Sequence, residues 1–171
     1  MCSICYHKGM DNQPIKPTGC CDPFDPAPWE DKEITWQKEL FVKDRVSSFF
    51  HIPLNMGKKV VKNMEIIEKA GVKMPFQLML VDENSLWSCD IYINVKKEVP
   101  DAPEMAELSG TFLTKVFEGP YKNIGKWIQE MKEYVASKNK EIKKLYFSYT
   151  TCPKCAKAYG KNYVILFAQI D

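Results

Sequence analysis

The sequence predicts an α+β protein made of duplicated strand-helix-strand-strand units, forming an antiparallel sheet with two helices on one face. Three observations carry that prediction. The hydrophobic period changes from strand-like to helical and back in residues 34–97, and does so again in residues 108–171. Each stretch holds one amphipathic segment flanked by apolar runs of strand length. Between the two stretches, Pro100 and Pro103 mark a short connector.

The elements follow in chain order. Residues 1–33 hold Pro14, Pro17, Pro23, Pro26 and Pro28 with four cysteines and no periodicity, so they predict an extended arm. Phe24 and Trp29 within it gain by docking on the body. Residues 34–52, with Trp36, Leu40, Val42, Val46 and Phe49, predict a long or bent strand. A helix opens at Asn55, a plausible cap, buries Val60, Met64, Ile67 and Ala70, and ends at Gly71. Residues 76–81 predict a second strand. In the third, Cys89, Ile91, Ile93 and Val95 alternate with Ser88, Asp90, Tyr92 and Asn94.

The second unit opens with strand-like residues 111–117, which Gly119-Pro120 stops. Ile124, Trp127, Ile128, Met131, Tyr134 and Val135 then recur at helical spacing. Residues 144–149 and 163–170 supply the last two strands. Pairing the two units leaves a groove on the sheet face opposite the helices, where a small molecule is expected.

Composition narrows the function classes. A chain of 171 residues, 45% hydrophobic and 27% charged, is one ordinary globular domain. A net charge of +2 gives no reason to expect a nucleic-acid or membrane partner. Seven cysteines without a leader argue for thiols or a metal and for a cytoplasmic location. A monomer or homodimer is expected.

The run from Phe117 to Trp127, with Gly119-Pro120-Tyr121 at its centre, resembles the strand-to-helix turn of GyrI-like domains. Tyr146-Phe-Ser-Tyr-Thr-Thr-Cys-Pro153 is similar to that family's aromatic-Glu-x-Tyr-x-x-Asp-Pro segment, and residues 88–93 are similar to its Asp-bearing strand. The resemblance spans residues 34–171. It implies a pocket for apolar, often cationic aromatic small molecules, lined by aromatics around an acid, in drug-binding modules and in hydrolases of strained electrophiles. No helix-turn-helix fits the arm.

One departure matters. Phe147 stands where the family has its glutamate. Asp90, Glu118 and Glu83 are the candidates to replace it. Asp90 shares a strand face with Tyr92 and is favoured as the catalytic group, the alternative being a hydrogen-bonding structural role. Glu118 is the second catalytic candidate. Trp36, Tyr92, Phe147, Tyr149 and Phe167 are the expected ligand-binding residues, with Phe147 and Tyr149 sharing one face of their strand. His7 and His51 give little support to a haem-binding reading.

Cysteine spacing forms the second constellation. Cys152-Pro-Lys-Cys155 and Cys2-Ser-Ile-Cys5 each have the two-residue gap of a zinc knuckle. Cys2, Cys5, Cys152 and Cys155 are therefore expected to hold one structural Zn²⁺, with Cys20 or Cys21 able to stand in. A redox pair at Cys152 and Cys155 is the rival reading. No organic cofactor is expected. Function stands between a hydrolase of small electrophiles and a non-catalytic scavenger of the same compounds.

Overall fold

In the computed structural model, residues 21, 23–50, 52–83 and 85–171 are described. The chain runs β1 (Lys32–Phe49), β2 (Ile52–Pro53), α1 (Met56–Lys69), β3 (Met79–Asp82), β4 (Ser88–Asn94) and β5 (Glu104–Glu118). A 3-10 turn (Tyr121–Asn123) leads into α2 (Ile124–Ser137), and then come β6 (Lys144–Tyr149), α3 (Pro153–Tyr159) and β7 (Tyr163–Gln169).

All strand pairings are antiparallel, and the strand order is β2-β1-β4-β3-β6-β7-β5. β5 also pairs with β1, from Lys32↔Thr114 to Lys43↔Glu104, so six strands close into a barrel-like sheet. A bulge between Trp36 and Glu39 interrupts that pairing, and extra twist at such a bulge helps a sheet to curl. Gly110 lies opposite Trp36 with φ +128. A Cβ there would sit 2.8 Å from Asp171 Oδ1, the carboxylate that receives the Thr111 N–H.

Each half keeps one strand order, β1-β4-β3 in the first and β5-β7-β6 in the second, and β3 meets β6 at Val81↔Phe147. α1 packs on β1, and α2 packs on β5 and β7. Their buried residues, Val60, Met64 and Ile67 with Trp127, Met131 and Val135, join the outward faces of the strands in one core. Asn55 is the N-cap of α1, but its side chain makes no capping bond to the helix. Its Oδ1 accepts the Ser47 N–H instead, tying the helix start to β1. Gly71, at φ +66, ends the helix, with its N–H on the Glu68 carbonyl.

Among the described residues, the face opposite the helices is largely filled rather than left as the expected open groove. β1–β5 closure turns that face inward, and Phe41, Leu80, Tyr92, Phe112, Tyr146, Ile165 and Phe167 fill it as a second core. The arm seals this core at one side. Trp29 meets Phe76 and Phe167 at ring distances of 5.3 and 5.7 Å, and Phe24 meets Tyr163 at 5.4 Å. Thr114 Oγ1 donates to the Trp29 carbonyl at 2.6 Å, and Val116 N donates to Glu30 Oε2 at 2.9 Å. Among the described residues, no helix is long and apolar enough to cross a membrane.

Candidate functional site

Strand alternation divides the expected site residues between the two faces. Trp36, Asp90, Tyr92 and Phe167 belong to the interior, whereas Phe147 and Tyr149 belong to the helix side. Phe147 is buried against the helix core and stacks on Tyr149 at 6.5 Å and 12°. Phe147 and Tyr149 therefore line no groove on the far face, because the Val81↔Phe147 pairing turns them to the side that carries the helices.

On the interior face, Asp90 is buried and accepts a hydrogen bond from Arg45 Nε at 3.1 Å, with Lys43 Nζ 3.9 Å from its other oxygen. Nearby, Lys144 pairs with Asp82 at 2.7 Å. Burial opposes the Lys144 charge, but the Asp82 hydrogen bond and the surrounding phenols raise its pKa overall. Burial is also the main cause that pushes the Tyr92 phenol up to about 12. Trp36 packs on Phe112 at 4.5 Å and borders a cavity of about 400 Å³ with Trp29, Phe41, Phe76 and Glu39. Glu118, at the end of β5, is exposed.

The β3–β6 junction on the helix side is organised differently. Tyr149 Oη donates to Glu83 Oε1 at 3.0 Å. Glu83 comes from the turn after β3 and Tyr149 from the end of β6, so the two halves of the chain each supply one partner. Burial, then the Glu83 charge and its hydrogen bond, drive the Tyr149 phenol well above its ordinary pKa. The phenol therefore keeps its proton at neutral pH.

Tyr121 closes on Tyr149 edge to face at 5.5 Å and 79°. Its own phenol is raised by burial first and then by Cys152 and Cys21. Cys89, hydrogen-bonded by Ser48 Oγ at 3.8 Å, is raised chiefly by burial and also by the Glu83 charge. The turn that carries Glu83 ends at Trp87, which forms an exposed aromatic cluster with Phe49 and Phe50 at 4.9–5.7 Å. This junction thus places a proton donor, a carboxylate and apolar rings together.

Three cysteines lie beyond Tyr121. The sulfurs of Cys21, Cys152 and Cys155 all lie within 4.8 Å of one another, so they could hold a metal ion. Burial pushes the Cys21 thiol up to about 12. Cys2 and Cys5, the other expected ligands, lie outside the described residues, as do Cys20, His7 and His51.

The Glu83–Tyr149 pair was legible only in part. Glu83 and Tyr149 each stood out, but no spacing ties residues 66 positions apart.

No curated protein matches the sequence. Several solved structures share the fold. The crystal structure of the EcmrR C-terminal domain has a TM-score of 0.64 at 10% identity, covering 84% of this chain and 98% of its own. A hydrolase from Listeria innocua has a TM-score of 0.60 at 14% identity, covering 83% of this chain and 92% of its own. At such identities the likeness is one of fold. The sequence profile described as bacterial hydrolase matches residues 10–170, nearly the whole chain. On that match, the chain belongs to the bacterial hydrolase family.

Proposed function

We propose that the protein hydrolyses a small, apolar, strained electrophile at the β3–β6 junction, with Glu83 and Tyr149 as its acid–base pair. The observation that carries this reading is the 3.0 Å hydrogen bond from the half-buried Tyr149 phenol to Glu83. The Listeria innocua hydrolase, alike in fold, and the family match agree with it. The shared strand order of the two halves supports reading them as GyrI-like repeats, residues 34–97 and 108–171, with the site at their junction.

The chemistry is that of two groups of opposite role. Water adds its oxygen to the electrophilic carbon while Glu83 takes one of its protons. The strained bond breaks, and Tyr149 gives its proton to the departing atom. Glu83 then returns its proton to the phenolate along the 3.0 Å hydrogen bond, which resets the pair. Asp90 fits a structural role in this scheme, because Arg45 and Lys43 engage its oxygens on the interior face.

The test follows a panel of three-membered-ring electrophiles by mass spectrometry with wild type, Glu83→Gln and Tyr149→Phe. Either change should lower kcat by about 10²–10⁴-fold. Both substitutions conserve shape, so circular dichroism should be unchanged. Full activity in both variants would move the chemistry elsewhere.

A further inference from the structure

We propose that Cys21, Cys152 and Cys155 bind one structural Zn²⁺ that clamps the N-terminal arm to the end of the barrel. The three sulfurs already converge, within 4.8 Å of one another. Zinc–sulfur bonds of about 2.3 Å set tetrahedral S···S edges near 3.8 Å, so a closure of at most about 1 Å brings the three sulfurs to bonding distance of one ion, with a fourth ligand left to complete the tetrahedron. Three sulfur donors in one place select a soft, tetrahedral ion over a hard one.

The surroundings are those of an outer shell. Cys152 N donates to Cys21 Sγ at 3.5 Å, and Cys21 N donates to Cys155 Sγ at 3.5 Å. Outer-shell hydrogen bonds of this kind orient the ligand atoms of a metal site. Cys152 and Cys155 are buried and Cys21 is half-buried, so water has little access. Tyr159 of α3 packs on the cluster, and its hydroxyl donates to the Cys21 carbonyl.

The third thiol decides between a metal and a redox dithiol. A Cys152–Cys155 redox pair has no use for Cys21, which arrives from 131 positions away in sequence. A bound ion does, because it closes a long loop and adds its binding free energy to folding. What it fastens is the segment holding Phe24 and Trp29, the rings that seal the interior core.

The full chain, purified under reducing conditions and loaded with Co²⁺, should show thiolate-to-cobalt charge-transfer absorption that Zn²⁺ displaces. Elemental analysis after Zn²⁺ loading should give about one zinc per chain. Cys21→Ser, Cys152→Ser and Cys155→Ser should each weaken metal affinity by more than the ~10–100-fold that losing an outer-shell partner costs. Cys89→Ser should leave it intact. Chelation should open residues 21–31 to protease while residues 32–171 stay resistant. Wild-type protein that gives no cobalt–thiolate absorption and takes up no zinc overturns the proposal, as does a Cys21→Ser variant with undiminished affinity.

Discussion

Replacing Asp44 by alanine tests how α1 is held on the sheet. Asp44 lies on the helix side of β1, is 6% exposed, and gathers three donors. Lys59 Nζ reaches Oδ1 at 2.9 Å, Arg45 N reaches Oδ1 at 2.8 Å, and Asn63 Nδ2 reaches Oδ2 at 3.0 Å. Asn63 is fully buried, and its Oδ1 has no hydrogen-bond partner, so alanine would strand the rest of the amide as well. A buried hydrogen bond to a charged group contributes about 1.5–3 kcal/mol. Lys59 is a third exposed and adds only about 0–1 kcal/mol. The expected loss for Asp44→Ala is therefore about 3 kcal/mol. In a chain of this length, that lowers Tm by about 6–12 °C.

Scanning calorimetry and urea unfolding measure the loss directly. Its pH dependence gives a second reading. Burial raises the Asp44 pKa, but Lys59, Asn63 and the Arg45 N–H outweigh burial and hold it below its ordinary value. A depressed carboxyl pKa stabilises the fold fully above the unfolded value of about 3.9, and the effect fades as pH falls through the folded value. The gap between wild type and Asp44→Asn should be flat near neutrality and shrink below about pH 4. A loss under ~1 kcal/mol for Asp44→Ala would show that the network does not hold the helix.

Two further substitutions separate packing from chemistry. Phe147→Ala should cost about 3–5 kcal/mol by urea unfolding, because the ring is 4% exposed in the helix-side core; a cost below ~1 kcal/mol would place it outside the core. Asp90→Asn should cost less than ~1 kcal/mol, since Arg45 is 70% exposed, Lys43 stands 3.9 Å off, and asparagine keeps the shape and an acceptor oxygen; a larger loss would make Asp90 a structural linchpin of the interior.

Local pattern made much of the fold legible. Alternation of Cys89, Ile91 and Ile93 with Asp90 and Tyr92 placed β4, and the helical repeat of Trp127, Met131 and Val135 placed α2. β5 starts at Glu104, earlier than residue 111, because its first half pairs with β1. That pairing joins strands some 70 positions apart and leaves no local mark, so barrel closure and the loss of the groove were not readable. α3 was hidden by the Cys152-Pro-Lys-Cys155 spacing, which reads equally as a metal knuckle, although Pro153 at its first turn is a helix-start signal. For the site, period two tells which residues share a face but not which face meets the helices. Tyr149 was therefore separable from Tyr146, whereas its partner on the β3 turn needed the three-dimensional pairing of β3 with β6.

The most direct measurement compares Glu83→Gln with Asp90→Asn on one substrate that the wild type turns over, at saturating concentration and with Tm recorded for each variant. If the junction on the helix side carries the chemistry, Glu83→Gln loses about 10²-fold or more in kcat while Asp90→Asn stays near wild type. The reverse pattern, with Asp90→Asn inactive and Glu83→Gln active at unchanged Tm, would contradict the account and move catalysis to the interior face.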